Sequence, residues 1–443
     1  MTTLAQQVVL KEGPIFLLSH ENGDIFGNTG LGLYYKDTRY LSLLSLQINE
    51  QTLPLLNFSG YRNFMGTFQF ANDIMRLQLG EAIGPSPTSE LLLLPQTLGL
   101  RRSRFISQGL HERIELSNYN RFLVPISLTL QFGSDFRDIF DVRGFPRDTW
   151  GELLSPLIDG SKLLLRYKGL DGLDRGTEVI FDLPPDAADV AMPESPGPKV
   201  EPGIMVPDVG APSYHINMKI PIATLTWNFT LEPHVSRGPT SLSFHVMPQS
   251  GDEENEPLWL AEENRTNNPK SKRLQASVRN PKPDSRFDKA VHYMRDSYRK
   301  WDTEATHFST DNEDFNVLLK RSKYDLRVLV EPVGDGYFPS AGVPWYVCPF
   351  GRDSLITALQ TLSLNPQIAI GALRTLARYQ GIRDDPWREE EPGKILHELR
   401  MGEMARLGMV PHSPYYGSVD STPLFVLLFV ETMSWLDNNS LYD

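Results

Sequence analysis

The hydrophobic period of the chain changes near residue 280, and this change restricts the fold more than any other feature. Before it the period is mostly two. PISLTLQF (125–132) sets Ile126, Leu128, Leu130 and Phe132 on one face and polar residues on the other. LTWNFTL (225–231) alternates through Leu225, Trp227, Phe229 and Leu231, and SLSFHV (241–246) through Leu242, Phe244 and Val246. KLLLRY, TEVIFDL and SYHINMKI are further short candidates. Many short alternating runs separated by turn residues predict an antiparallel β-sandwich, assigned to residues 1–280. Residues 184–213 are rich in proline and read as an exposed loop within it. A domain boundary there is the rival reading, disfavoured because strands resume beyond it.

After 280 the period is helical. Residues 281–310 are read as a connecting segment containing the helix SRFDKAVHYMRDSYRKW (285–301), and 311–443 as a helical domain. Thr310 to Glu313 form a capping box before the next helix. Asp353 opens SLITALQTLSL as its N-cap. Asn365-Pro366 starts a helix with Ile368, Ala369, Ala372, Leu373, Leu376 and Ala377 on one stripe, stopping at Gly381. STPLFVLLFVETMSWL (421–436) is apolar nearly all round and is expected to be buried on most sides. About four antiparallel helices with long polar loops look like the beginning of a larger helical array.

Composition narrows the function classes. The chain has 443 residues, 40% hydrophobic and 22% charged, with a net charge of −12. It carries no basic footprint of the kind nucleic acid requires. Its single cysteine, Cys348, allows no internal disulfide, which fits a reducing compartment. No basic-then-apolar leader opens the chain, and no run reaches the roughly eighteen apolar residues of a membrane span. A cytoplasmic protein is therefore expected, without membrane or nucleic-acid partners.

If neighbouring helices alternate direction, the two long connections, 331–352 and 381–420, lie at the same end of the helical layer, where loops on a rigid scaffold carry function. The first holds Trp345, Tyr346 and Phe350 and ends in Arg352-Asp353. Aromatic faces suit the C–H faces of sugar rings, and an Arg-Asp pair offers donors and acceptors for adjacent hydroxyls. A loop packed by its own aromatics is the alternative. The second holds Glu389–Glu391, read as a solvated run, then Lys394, His397, Glu398 and Arg400; helical spacing would put Lys394, His397 and Glu398 on one face, and a plain ion-pair network is the alternative. A packed helix over 394–407 would change the helix count. No second histidine stands at i+4 to His397, so neither metal nor cofactor is expected. Asp420, between Tyr416-Gly417 and the 421–436 helix, has two readings. A helix cap favours its ionised form, whereas a general acid needs a raised pKa.

FGRDSLITALQTL, EEEPGKILHELRMGEMARLG and PHSPYYGSVDSTPLF resemble the bacterial amylo-α-1,6-glucosidase, or glycogen debranching enzyme, type of family. GLGLYYKDTRYLSLLSLQIN and FGSDFRDIFDVRG resemble the N-terminal domain that accompanies it. The resemblance implies an N-terminal antiparallel β-sandwich followed by part of an (α/α)₆ toroid, here apparently truncated. It implies inverting hydrolysis of an α-glucosidic bond in an α-glucan or glucoside, with Asp420 as general acid. Arg352 and Asp353 match the pair that grips the sugar. Trp345, Tyr346, Lys394, His397, Glu398, Arg400 and Tyr416 would line the same rim. The general base is expected beyond residue 443; within the chain it would be sought among Asp353, Glu398 and Glu403. SHENGDI (19–25) and Tyr34-Tyr35-Lys36-Asp37 are candidates for a sandwich loop on that rim, against plain structural turns. The alternatives are a toroid glycosidase for a small α-glucoside or α-mannoside, a non-catalytic carbohydrate-binding protein, or an assembly protein that docks through the sandwich.

Overall fold

The computed structural model describes residues 7–26, 29–62, 64–78, 90–193, 199–201, 215–217, 220–251, 285–333 and 336–436. The period-two segments become antiparallel sheets. The largest runs, edge to edge, through Glu152–Asp159, Lys162–Lys168, Asp174–Phe181, Thr240–Ser250, Leu110–Asn118, Leu98–Ile106, Met65–Ala71 and Leu55–Arg62. A second runs through Ala187–Ala191, Ile222–Leu231, Val124–Gly133 and Leu43–Ile48. A third joins Gln7–Glu12, Ile15–His20, Gly32–Tyr35 and Thr38–Leu41.

Register explains the alternation. Leu128 stands opposite Trp227, and Leu130 opposite Leu225. Their side chains enter one core with Leu242, Phe244 and Val246 of the largest sheet. Phe132 and Phe244 meet edge-to-face across it at 5.5 Å. The proline-rich segment is not all loop: Ala187–Ala191 pairs with Ile222–Leu231 as an edge strand. The sequence missed it because an exposed edge strand has no apolar alternation to show. The rest of that segment is largely outside the described residues, as is the proposed boundary at 280.

Helix α1 (Arg286–Glu304) is capped by Ser285, whose hydroxyl accepts from the Asp288 amide. Phe287, Ala290, Val291, Met294 and Tyr298 pack on Phe64 and Phe105 of the sandwich. Trp301 instead enters a second core formed by the later helices. Helix α2 (Glu313–Leu329) is capped by Asn312, which accepts from the Phe315 amide, rather than by Thr310. Thr310 directs its hydroxyl to Asn316 Oδ1 at 3.0 Å.

Helix α3 (Gly351–Gln360) begins before Asp353, so Asp353 lies in the first turn and is not the cap. The Asn365 side chain accepts from the Gln367 amide at 3.0 Å and starts helix α4 (Gln367–Arg378). Residues 394–407 form no long helix, only a single turn at Glu403–Arg406. The helix count that placed both long loops at one end therefore stands. Helix α5 (Ser421–Leu436) departs from expectation. Only Ser421, Leu428 and Thr432 are buried, while Val426, Val430 and Trp435 are each more than half exposed. Its apolar face is uncovered among the described residues.

Candidate functional site

The two long loops meet. The Gly351 amide donates to the His397 carbonyl at 2.9 Å, and Leu399 N–H to Pro349 at 3.0 Å. Phe350 and Tyr415 each bridge to Glu398. Gly351 has no room for a Cβ, which would run into the Leu396 carbonyl and Ser421 Oγ. The starts of α3 and α5 are thereby pressed against residues 395–397, and the Ile395 amide donates to Thr422 Oγ1 at 3.0 Å.

On this rim Arg352 Nη1 stands 3.4 Å from Asp420 Oδ2, both side chains part-exposed. Asp420 holds the cap position of α5 through its backbone, its carbonyl accepting from Leu424 N–H. Its carboxylate accepts from Ser418 Oγ at 2.5 Å. The Ser418 hydroxyl and, after it, Arg352 hold the Asp420 pKa below the ordinary carboxylate value. Asp353 makes no side-chain hydrogen bond or ion pair among the described residues.

Behind the rim lies a buried ionic network that sequence reasoning only half found. The Arg400 guanidinium donates to Asp37 Oδ1 at 2.8 Å, to Glu398 Oε1, and to the Trp345 carbonyl at 2.8 Å. Asp37 also accepts from the Met401 amide at 2.8 Å. Burial by itself would lower the Arg400 pKa, but Asp37 and Glu398 hold it above its usual value. Arg400 lies over Phe140 and Phe350, at 5.4 and 5.8 Å from their ring centres. His412 Nε2 stands 3.7 Å from Glu398, and burial holds this imidazole below its ordinary pKa.

Asp37 is in the turn between Gly32–Tyr35 and Thr38–Leu41, where Lys36 and Asp37 have φ of 44° and 61°. That stretch is a structural turn, and the turn carries an anchoring carboxylate into the helical part. SHENGDI is spent inside the sandwich, with Asp24 accepting from Arg102 at 2.6 Å. FGSDFRDIFDVRG is a seam. Asp138 Oδ2 accepts from the Met404 amide at 2.9 Å, and burial pushes its carboxyl up to about 7. Glu403 accepts from Arg147 at 2.6 Å and Tyr167 at 2.9 Å.

The remaining candidates separate. Lys394 pairs with Glu391 at 2.8 Å and donates to the Glu389 carbonyl, away from His397 and Glu398. The helical face expected for these residues does not exist, because the segment is extended. His397 meets Phe350 and Tyr415 edge-on at 5.6 and 6.1 Å. Tyr416 is a core residue, 3% exposed, donating to the Tyr379 carbonyl at 2.8 Å; Tyr415 is the partly exposed neighbour. Tyr346 is 43% exposed, and Trp345 is partly buried against the sandwich core. No group of His, Cys, Asp and Glu suited to a metal occurs among the described residues. No helix among them is long and apolar enough to cross a membrane. A cavity of about 150 Å³ lies elsewhere, lined by His111, Asp182, His245 and Phe287 among others.

An antiparallel sandwich leads into a helical layer, with the long loops gathered at helix N-termini. Residues 10–197 match the family described as the N-terminal domain of (some) glycogen debranching enzymes. The chain shares its fold with a protein described as a kojibiose phosphorylase from the human microbiome, at 10% identity and a TM-score of 0.55, covering 96% of this chain and 53% of that one. It is also similar to a bacterial glucoamylase solved with acarbose, at 11% identity and a TM-score of 0.49, covering 95% and 54%. The chain thus spans about half the length of these solved structures. No curated protein matches it. The fold class is as expected: a β-sandwich followed by part of an (α/α)₆ toroid.

Proposed function

We propose that the chain belongs to a glycoside hydrolase of the glycogen-debranching, amylo-α-1,6-glucosidase type, acting with inversion on an α-glucosidic bond of an α-glucan in the cytoplasm. The observation that carries this reading is the Arg352–Asp420 pair at the N-termini of α3 and α5, on the rim where both long loops converge. Asp420 is the general acid, protonating the glycosidic oxygen. A second carboxylate activates water on the opposite face, at about 6.5–9.5 Å from the first. In the open rim Asp420 is ionised. It takes up its proton when bound sugar excludes water and raises its pKa.

Two of the in-chain candidates for the base are already engaged. Glu398 holds Arg400, and Glu403 holds Arg147 in the sandwich seam. We therefore assign the base to polypeptide beyond residue 443, which would also cover the open face of α5. Asp353, beside Arg352, remains the sugar-gripping partner and the in-chain rival. A non-catalytic sugar-binding role is the second reading, favoured by the engagement of Glu398 and Glu403 elsewhere.

The test is glucose release from an α-1,6-branched limit dextrin by this chain and by a version extended through its native reading frame. Activity only in the extended protein, abolished by Asp420→Asn, supports the assignment. Turnover by the 443-residue chain, lost in Asp353→Asn, would move the base to Asp353. Dextrin binding without hydrolysis by either protein would leave the binding reading.

A further inference from the structure

Among the described residues, one guanidinium at the seam has no carboxylate partner. Arg143 follows the single-turn helix Ile139–Val142 in the sandwich, and its side chain reaches the first long loop of the helical part. Its guanidinium lies 5.8 Å from the Phe140 ring centre, 5.6 Å from Phe145, and 5.9 Å from both Trp345 and Tyr346. Among the described residues it makes no side-chain hydrogen bond or ion pair. The neighbouring carboxylate, Glu398, is committed to Arg400. Arg143 therefore keeps its five N–H donors, in the planar fork of a guanidinium set among rings. Burial, and after it the Arg400 charge, lower its pKa. Two of the rings are open to solvent, Tyr346 at 43% and Phe145 at 37%. Tyr346 meets Phe350 edge-on at 5.6 Å, and Phe350 caps α3, the helix bearing Arg352 and Asp353.

Exposed ring faces beside a planar, uncommitted donor fork are what a pyranose needs. The rings take its C–H face and the fork takes two adjacent hydroxyls. Resting on the proposed α-glucan reading, we propose that Arg143, with Tyr346 and Phe145, forms a sugar-binding subsite built across the sandwich–helix seam, which holds a glucan residue away from the bond to be cleaved. Sandwich and helical part then share the work of substrate selection: the helical rim grips the reacting sugar, and Arg143 grips the chain that carries it.

The test is affinity gel electrophoresis and calorimetry of this chain with maltoheptaose and branched limit dextrin. Arg143→Lys keeps a cation against the rings but loses the fork; Tyr346→Ala removes one platform. Each is expected to weaken Kd about tenfold or more while leaving the melting temperature unchanged. If the wild-type chain binds these glucans and both variants bind equally well, the subsite is refuted and the α-glucan reading survives. If the variants lose affinity only in step with a lowered melting temperature, Arg143 is a seam-packing residue and the subsite is likewise refuted. If the wild type binds neither glucan, the α-glucan reading itself falls, and the subsite with it.

Discussion

Replacing Asp37 by alanine should loosen the candidate rim from a distance, because this carboxylate belongs to the sandwich and its partners do not. Asp37 and Arg400 are 3% and 0% exposed at the side chain, so the change strands a buried guanidinium. Removing one partner of such a pair costs about 3–5 kcal/mol. Glu398 stays in place, which argues for the lower end, but the Met401 amide also loses its acceptor, a further ~1–3 kcal/mol. A local loss of about 4 kcal/mol is expected. A chain with several cores is a poor two-state system, so the readout should be local. Amide exchange suits it at Gly351, Leu399 and Arg400, whose N–H groups bond to His397, Pro349 and His412 and never to Asp37. These amides should exchange on the order of 10²-fold faster or more in Asp37→Ala. Adding Arg400→Met should restore part of the protection, because it removes the stranded charge. If the three amides exchange within about threefold of wild type, the Asp37–Arg400 pair is not what holds the loops together.

Other outcomes follow from the same geometry. Ser418→Ala should raise the Asp420 pKa more than Arg352→Met does, since the hydroxyl is the stronger of the two influences; carboxylate NMR titration reads both, and the reverse order would discredit this account of the acid. Asp138 is held protonated to about 7 by burial, so the fold keeps a proton that the unfolded chain releases near the ordinary carboxylate range. Wild-type stability relative to Asp138→Asn should therefore fall as pH rises from about 5 to about 8 and level off above. A pH-independent difference in urea denaturation would contradict the raised pKa. Gly402→Ala drives a Cβ into Asp138 Oδ2 and should cost about 1–3 kcal/mol, seen as earlier proteolysis of the 401–409 segment; unchanged cleavage would show that the seam adapts.

What could be read in the sequence was whatever depends on neighbouring residues. Ile126, Leu128, Leu130 and Phe132 announced their strand because one face is core and the other is not. Arg352 and Asp420 were found by motif, and their meeting followed from helix direction and loop length. Partners set by long-range packing were hidden. Asp37 and Arg400 are separated by 363 residues, and nothing local to either predicts the other. Tyr415 and Tyr416 are chemically alike, and only the fold decides which of them faces the core. The segment 394–400 misled for a related reason: its charges suit helical spacing, but the chain is drawn out between Gly351 and Tyr415, and Glu398 and Arg400 turn inward together.

The hidden residues share a location, which bears on how the rim works. Asp37, Asp138, Arg143 and Arg147 all come from the sandwich, and each meets residues 345–346 or 400–404. Three of the four are tied to a carboxylate, a guanidinium or a backbone amide across the seam; Arg143 alone is not. Arg143 is only partly buried, so leaving it without a carboxylate costs less than stranding a buried charge would. The sandwich therefore does two things at this boundary. It pins the second long loop through Asp37, Asp138 and Arg147, and so fixes the segment that the starts of α3 and α5 pack against. It also leaves one donor fork open among rings beside that fixed frame. Substitutions at Asp37 should disturb loop order and sugar binding together, whereas those at Arg143 should disturb binding alone.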